Sequence, residues 1–374
     1  MSRSNQYESD VDDFDDSMSI SSVPSSVATT AHDGESVSTR SMRSPSPTGS
    51  VWSVTSSIRA AAYREEHGRH LNNYSDVYRL PADQEELERL DKQHIMLTEV
   101  MGGYPPPMAE VMEKEYPEDI KACVDLGCGS GSWILDVARD FPHCECVGVD
   151  LVPMQVESEF RNMPPNCRSE IDDINLGLEH FYHHFDVVHA RLISSGIKDY
   201  KNIIDEMNRA LKPKGLLILS EFDFFVYGAD FQRIELSVTE LEPPWWPRWM
   251  TVAREAAQTF GGSVDAATHL YDWVAGHPGF EEVVYRDFWI PCSPWCKENP
   301  LQMKYGEVMR EDILAFIKSG RPLLLSRGHP HDTIDFLSQK ASEELMEAKQ
   351  PGYIRVQNVY ARRKVNWKPP PKPR

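Results

Sequence analysis

The sequence predicts an α/β fold in which helices cover both faces of a mostly parallel sheet. Two observations carry that expectation. A buried strand runs into a glycine-rich turn and a helix, and strand and helix then alternate over roughly a hundred residues. Ala122-Cys123-Val124-Asp125-Leu126 supplies the strand, and Gly127-Cys128-Gly129-Ser130-Gly131-Ser132-Trp133 supplies the turn and the first helical residues. Glycine suits such a turn because a Cβ forbids the backbone angles and keeps a ligand away from the main chain. The helix that follows aims free N–H groups at whatever occupies the crevice.

The later elements read in order. Glu145-Cys146-Val147-Gly148-Val149-Asp150 is a second strand ending in an acid. Cys167 to Ile174 reads as a third strand closing on the carboxylate pair Asp172 and Asp173, and Phe185 to Arg191 as a fourth. From Tyr200 to Leu211, the apolar residues Ile203, Ile204, Met207 and Leu211 keep helical spacing. Lys212-Pro213-Lys214-Gly215 stops that helix. Leu216 to Glu221 is apolar enough to be buried on both faces. Further on, Trp245 opens a helical segment and Leu270 to Trp273 lies in another, the two expected to roof the crevice. Leu301–Ile317 and Thr333–Ala348 look helical, and Phe280–Ile290 and Tyr353–Ala361 alternate as two final strands.

Ligands of parallel sheets bind beyond the carboxyl ends of the strands, where every residue singled out above lies. A dinucleotide loop wants Gly-x-Gly-x-x-Gly, but here the third glycine, Gly131, comes one residue early and Ser132 takes its place. Asp125, two residues before the first glycine, would repel a pyrophosphate and suits a ligand carrying an ammonium or sulfonium. Asp150 can accept from both hydroxyls of a ribose, with Leu151 beside it. This spacing disfavours a nicotinamide oxidoreductase.

The string Asp-x-Gly-x-Gly-x-Gly over Asp125–Gly131 resembles the first motif of the class I S-adenosylmethionine methyltransferases. The segment from Tyr78 to His94 looks like the lead-in helix of a fungal group among them, similar to LaeA, the velvet-associated regulator of secondary metabolism. Met163–Arg168 with Glu170–Asp173, Ile197–Tyr200, and Ala210–Gly215 followed by Glu221-Phe222-Asp223 resemble the same group. Lys214 departs from it, standing where the group usually has glycine. The resemblance covers roughly residues 74 to 365 and is loose from Trp245 onward. It implies a Rossmann-like, seven-stranded class I sheet with a helical cap, and S-adenosylmethionine as cofactor. It further implies an acid on the adenine amino group, with Asp173 preferred and Asp172 second, and the next main-chain N–H, that of Ile174, on a ring nitrogen. The expected cofactor residues are thus Asp125, Gly127, Cys128, Gly129, Gly131, Asp150, Leu151, Asp172, Asp173, Ile174 and His189.

An oxygen or carbon acceptor needs a base within reach. His189 is the best-placed candidate, followed by Glu221 and His94, although a wall role for His189 is the preferred reading. The expected product is a methylated small metabolite. The alternative is a cofactor-binding regulator acting through protein partners, as the resemblance allows.

The chain has 374 residues and a formal net charge of −19. That charge repels nucleic acid over most of the surface. The Asn-Pro-Pro-Tyr type signature of base-methylating enzymes is replaced by His189-Ala190-Arg191. No apolar run is long enough for a membrane span, and Met1-Ser2-Arg3-Ser4 opens no signal peptide. Seven cysteines, an odd number, suit free thiols in a reducing compartment, so the expected location is cytoplasmic or nuclear. Cys144/Cys146 and Cys292/Cys296 read as buried or incidental thiols rather than metal ligands. Residues 1–70 form a serine-rich acidic tail, with Ser44-Pro45-Ser46-Pro47 inside it, expected to be disordered. The methyltransferase domain is expected over 71–365, with its core at 120–225 and its cap and last strands at 226–365. Residues 366–374 make a basic proline-rich tail, a possible docking or import segment.

Overall fold

Apolar runs without polar alternation are stable only between two covered faces, and the chain builds such a sheet from seven strands. The computed structural model describes residues 60–154, 163–368 and 370. A hairpin, β1 (Tyr63–Glu66) and β2 (Arg69–Asn72), comes first. The sheet then uses β3 (Lys121–Leu126), β4 (Cys144–Asp150), β5 (Cys167–Ile171), β6 (Phe185–Arg191), β7 (Leu211–Phe222), β8 (Phe280–Pro291) and β9 (Tyr353–Arg363). Their spatial order is β5-β4-β3-β6-β7-β9-β8. Pairing is parallel from β5 through β7, and β9 runs antiparallel between β7 and β8. Strand order reverses between β3 and β6, so the crevice for a ligand opens at their carboxyl ends.

The helices are α1 (Gln84–Met101), α2 (Pro107–Met112), α3 (Ser132–Asp140), α4 (Tyr200–Ala210), α5 (Trp245–Thr259), α6 (Ala266–Ala275), α7 (Pro300–Ser326) and α8 (His331–Glu347). One apolar cluster packs α4 and α6 on the sheet through Ile203, Met207, Leu270 and Val188. A second packs α2 and α3 on the opposite face through Met108, Ile134 and Val187. The third joins α1, α5, α7 and α8 into a cap around Trp249, Leu97, Ile313 and Leu337. The expected α/β class, with a seven-stranded mostly parallel sheet and a helical cap, is what the chain forms.

Several boundaries differ from expectation, each for a local reason. Residues 63–70 fall inside the stretch assigned to a disordered tail, yet with Leu71 and Asn72 they pair as a hairpin, and Leu71 is fully buried. Its two-residue turn, His67-Gly68, has φ of 52° and 75°, the primed geometry that suits a tight hairpin. The rest of that tail, residues 1–59 with their Ser-Pro pairs, lies outside the described residues, as do 371–374 of the basic tail. Within the remainder of the basic tail, the Pro370 carbonyl accepts from Arg209.

The lead-in helix begins at Gln84 rather than Tyr78. Pro81 keeps the preceding residues extended, and the Asp83 side chain caps the helix by accepting from the Glu86 N–H. It runs on to Met101, where Gly102 takes a left-handed conformation. The third strand ends at Ile171, because Asp173 caps a short 3-10 turn over Ile174–Leu176. The fifth sheet strand starts at Leu211, five residues ahead of expectation, with an irregularity opposite Phe185 and Val187. Lys214 sits at φ 68°, which explains why glycine is usual there.

Candidate functional site

The crevice at the β3/β6 reversal is lined by Tyr78, the middle of α1, the glycine turn, the ends of β4 and β6, and the turns after β5 and β6. Gly127, Gly129 and Gly131 all take positive φ, of 72°, 55° and 79°. A side chain at Gly127 would meet Ile193, and one at Gly129 would meet Leu90 Cδ1 at 2.9 Å. The turn is therefore pinned from both sides. The N–H groups of Gly127 and Cys128 donate to the Val149 carbonyl, tying the turn to β4. Ser132, the residue that displaced a dinucleotide-type third glycine, donates its hydroxyl to Asp91 Oδ1 at 2.6 Å and so fastens α1 over the turn.

Asp150 accepts from the Gly129 N–H at 2.9 Å through Oδ2 and from Val152 through Oδ1. Burial raises its carboxyl above the usual range, while the surrounding backbone N–H groups pull it down. An ionised carboxylate only accepts, which is what the donating hydroxyls of a ribose require. Leu151, Asp172, Asp173 and Ile174 line the same crevice. Asp173 spends Oδ1 on the N–H and side-chain amide of Asn175, whereas Asp172 faces only His180, at 3.5 Å.

At the other end, His189 Nδ1 lies 2.7 Å from Asp125 Oδ1, and its ring stacks on Trp133 with centroids 3.7 Å apart. A carboxylate only accepts, so Nδ1 carries the proton. Burial holds the His189 pKa below its ordinary value although Asp125 opposes that shift, and the ring is neutral near pH 7. Arg191, on the same strand, donates to His94 Nδ1 at 2.9 Å. His94 in turn uses Nε2 on Asp136 at 2.8 Å, so neither of its nitrogens is free to act as a base. Among the described residues no carboxylate forms an ion pair with Arg191. The crevice thus holds a carboxylate, Asp125, and a guanidinium, Arg191, on neighbouring strands.

Glu221, the other expected base, is withdrawn from the crevice. Its Oε1 accepts from the Ile193 and Ser194 N–H groups and from the Tyr200 hydroxyl, holding the turn after β6 in place. Burial pushes the carboxyl up to about 7 although these hydrogen bonds oppose the shift.

A second cavity adjoins the first and shares Tyr78, Leu90, Gln93 and Leu192 with it. Its remaining walls come mainly from the cap, with Trp246, Met250, Met309 and Phe316 facing Phe222 and Phe224 of the sheet. It opens partly to solvent, and its lining is mainly aliphatic and aromatic. Sequence reasoning named none of Tyr78, Leu90 or Gln93 as lining. The available signal was the i, i+3 spacing of Leu90 and Gln93, which puts both on one face of α1. The four cysteines of the sheet, Cys123, Cys144, Cys146 and Cys167, are buried free thiols, and burial raises their pKa values. No helix among the described residues is long and apolar enough to cross a membrane.

A family model described as a methyltransferase domain matches residues 105–276. The secondary metabolism regulator laeA of Coprinopsis cinerea is 50% identical over 303 residues, spanning 80% of this chain and 74% of that protein. Methyltransferase pytC of Aspergillus terreus is 27% identical over 303 residues, 79% of this chain and 86% of its own length. Methyltransferase str2 of Strobilurus tenacellus is 24% identical over 272 residues, 72% and 90% of the two chains.

Proposed function

The chain belongs to the laeA-like S-adenosylmethionine-dependent methyltransferases, and from that premise we propose that it transfers the cofactor's methyl group to a small-molecule acceptor. The observation that carries this reading is the pair of joined cavities, one shaped for the cofactor and one apolar, meeting at Tyr78, Leu90, Gln93 and Leu192.

The crevice fits the cofactor along its length. Asp150 receives the ribose hydroxyls. Asp173, which spends only Oδ1 on Asn175, takes the adenine amino group, with Asp172 second, and the Ile174 N–H meets the ring. Asp125 faces the ammonium and Arg191 the carboxylate of the methionine end, a matched pair for a zwitterion. Bound there, the cofactor would supply a methyl group already activated for in-line displacement, the sulfonium being a good neutral leaving group.

The protein's share is alignment and the exclusion of water. Leu90 and Leu192 dry the junction, and α1, fastened by Ser132 and Asp91, closes over it. His189 serves as a wall, because it lines the cofactor crevice and not the second cavity.

A second reading, a cofactor-binding regulator that acts through protein partners, is supported by the description of the relative at 50% identity. Incubating the protein with methyl-labelled cofactor and either a metabolite extract or a nuclear protein extract separates the two. Label in a small molecule is the expected result. Absence of transfer alongside a stable co-purifying partner would favour the regulator.

A further inference from the structure

Cofactor binding leaves unexplained a buried charge cluster at the polar end of the second cavity. Arg89 lies between Glu86 and Asp312. Its Nη2 donates to Glu86 Oε1 at 2.6 Å and its Nη1 to Asp312 Oδ1 at 2.8 Å. The Ser319 hydroxyl donates to Glu86, and Gln93 Nε2 donates to Asp312 Oδ2 at 3.0 Å. Glu86, Arg89 and Asp312 are 1%, 8% and 9% exposed, so all three are desolvated. Two carboxylates against one guanidinium leave one negative charge uncompensated when all are ionised, and burial raises the Asp312 carboxyl accordingly. A buried charged cluster of this kind stabilises a fold no better than well-packed apolar residues, so stability alone does not account for it.

Its position does account for it. Arg89, Gln93 and Asp312 line the cavity, whose other walls are largely aromatic and aliphatic. Gln93 is the link to the cofactor, because it lines both cavities. Asp312 can only accept, so it fixes the amide nitrogen of Gln93 and leaves the amide oxygen as an acceptor. Both Asp312 oxygens also keep a lone pair beyond Arg89 and Gln93. A ligand entering this space meets apolar walls and a polar end that takes a proton donor. A protonated amine would answer the charge but has no electron pair with which to attack a methyl group. A hydroxyl donates to the carboxylate and still offers an electron pair, its proton passing to Asp312 as the new carbon–oxygen bond forms and the carbon–sulfur bond breaks.

We propose that the second cavity receives a mainly apolar, ring-sized molecule bearing a hydroxyl, and that the hydroxyl donates to Asp312 in the place that Gln93, hydrogen-bonded to the same carboxylate, fixes beside the cofactor crevice. This rests on the methyl-transfer reading above. The test uses the full chain saturated with S-adenosylhomocysteine and equilibrium dialysis with 1-naphthol and naphthalene as probes. 1-Naphthol is expected to bind one site per chain about tenfold more tightly than naphthalene. Ile313→Trp, which fills the cavity, abolishes naphthol binding and leaves S-adenosylhomocysteine affinity within about twofold, because Ile313 is not in the cofactor crevice. Asp312→Asn and Gln93→Met each bring naphthol down to the affinity of naphthalene; the second variant retains the buried charges should the first fold poorly. Equal affinity for the two probes, no naphthol binding, or undiminished binding by Ile313→Trp would overturn the proposal while S-adenosylhomocysteine still binds. Failure of the wild-type chain to bind S-adenosylhomocysteine would instead remove the methyl-transfer reading beneath it.

Discussion

The parallel half of the sheet and the helical cap solve the problem of holding a ligand in opposite ways. In the parallel half, from β3 to β6, contacts to the crevice come from strand ends and tight turns. Much of their geometry is set by the backbone of the turns and strand ends themselves, as with Asp150 held by the Gly129 N–H. In the cap, the polar contacts join residues far apart in the chain, as with Arg89 on α1 and Asp312 on α7. The first arrangement suits a ligand of fixed shape. The second allows the acceptor to change through substitutions on three helices without disturbing the glycine turn.

The strongest way to break the cap alone is Arg89→Met, which strands Glu86 and Asp312 as buried charges. Chemical denaturation is expected to show a loss of about 3–5 kcal/mol. A loss below about 1 kcal/mol would show that the cluster is not desolvated as described.

Glu221 tests the boundary between the halves. Its carboxyl titrates near 7 in the folded protein, against 4.5 for an ordinary glutamate. Below 4.5 it is neutral whether folded or unfolded, and above 7 it is ionised in both, with the folded state bearing the burial penalty. Folding stability should therefore fall by on the order of 3 kcal/mol as pH rises from 4.5 through 7. Glu221→Gln should flatten that part of the profile, and an unchanged slope would assign it to other groups.

Asp150→Ala should lower S-adenosylmethionine affinity by about a hundredfold in calorimetry, since two charge-assisted hydrogen bonds are lost. Unchanged affinity would defeat the ribose assignment. Arg191→Met is expected to cost about tenfold, through the methionine carboxylate; an equal affinity for decarboxylated cofactor in wild type and variant would confirm that route, and a tenfold difference there would refute it. The smallest effect belongs to the N-terminal segment. Deleting residues 1–59 should leave cofactor affinity within about twofold. Extending the cut through Asn72 should lower the melting temperature, because Arg69 pairs bidentately with Asp83 and Leu71 is buried.

What the sequence discloses follows the same division. Strand ends, the glycine turn and Asp150 are legible because period, turn chemistry and spacing are local. The His67-Gly68 hairpin carries a local signal too, but its strands are only four residues long and sit beside a serine-rich stretch that dominates the composition. His94 and Glu221 read as free bases because nothing nearby in sequence reveals that Arg191, Asp136 or the Ile193 turn will occupy them. The second cavity is illegible for the strongest reason: Arg89, Asp312 and Trp246 meet only once three separate helices have docked.

The position of β9 has a consequence for how the protein is made. This strand fills the gap between β7 and β8, yet among the described elements it follows both of them in the chain and leaves the ribosome after them. Until Tyr353–Arg363 emerges, the hydrogen-bonding edge of β7, with Leu216, Leu217, Ile218 and Leu219 along it, has no partner. The cofactor crevice is already encoded by then, so a nascent chain can hold its turn geometry while offering an open apolar edge to its neighbours. Truncation or stalling short of Tyr353 should therefore favour aggregation over a smaller folded domain.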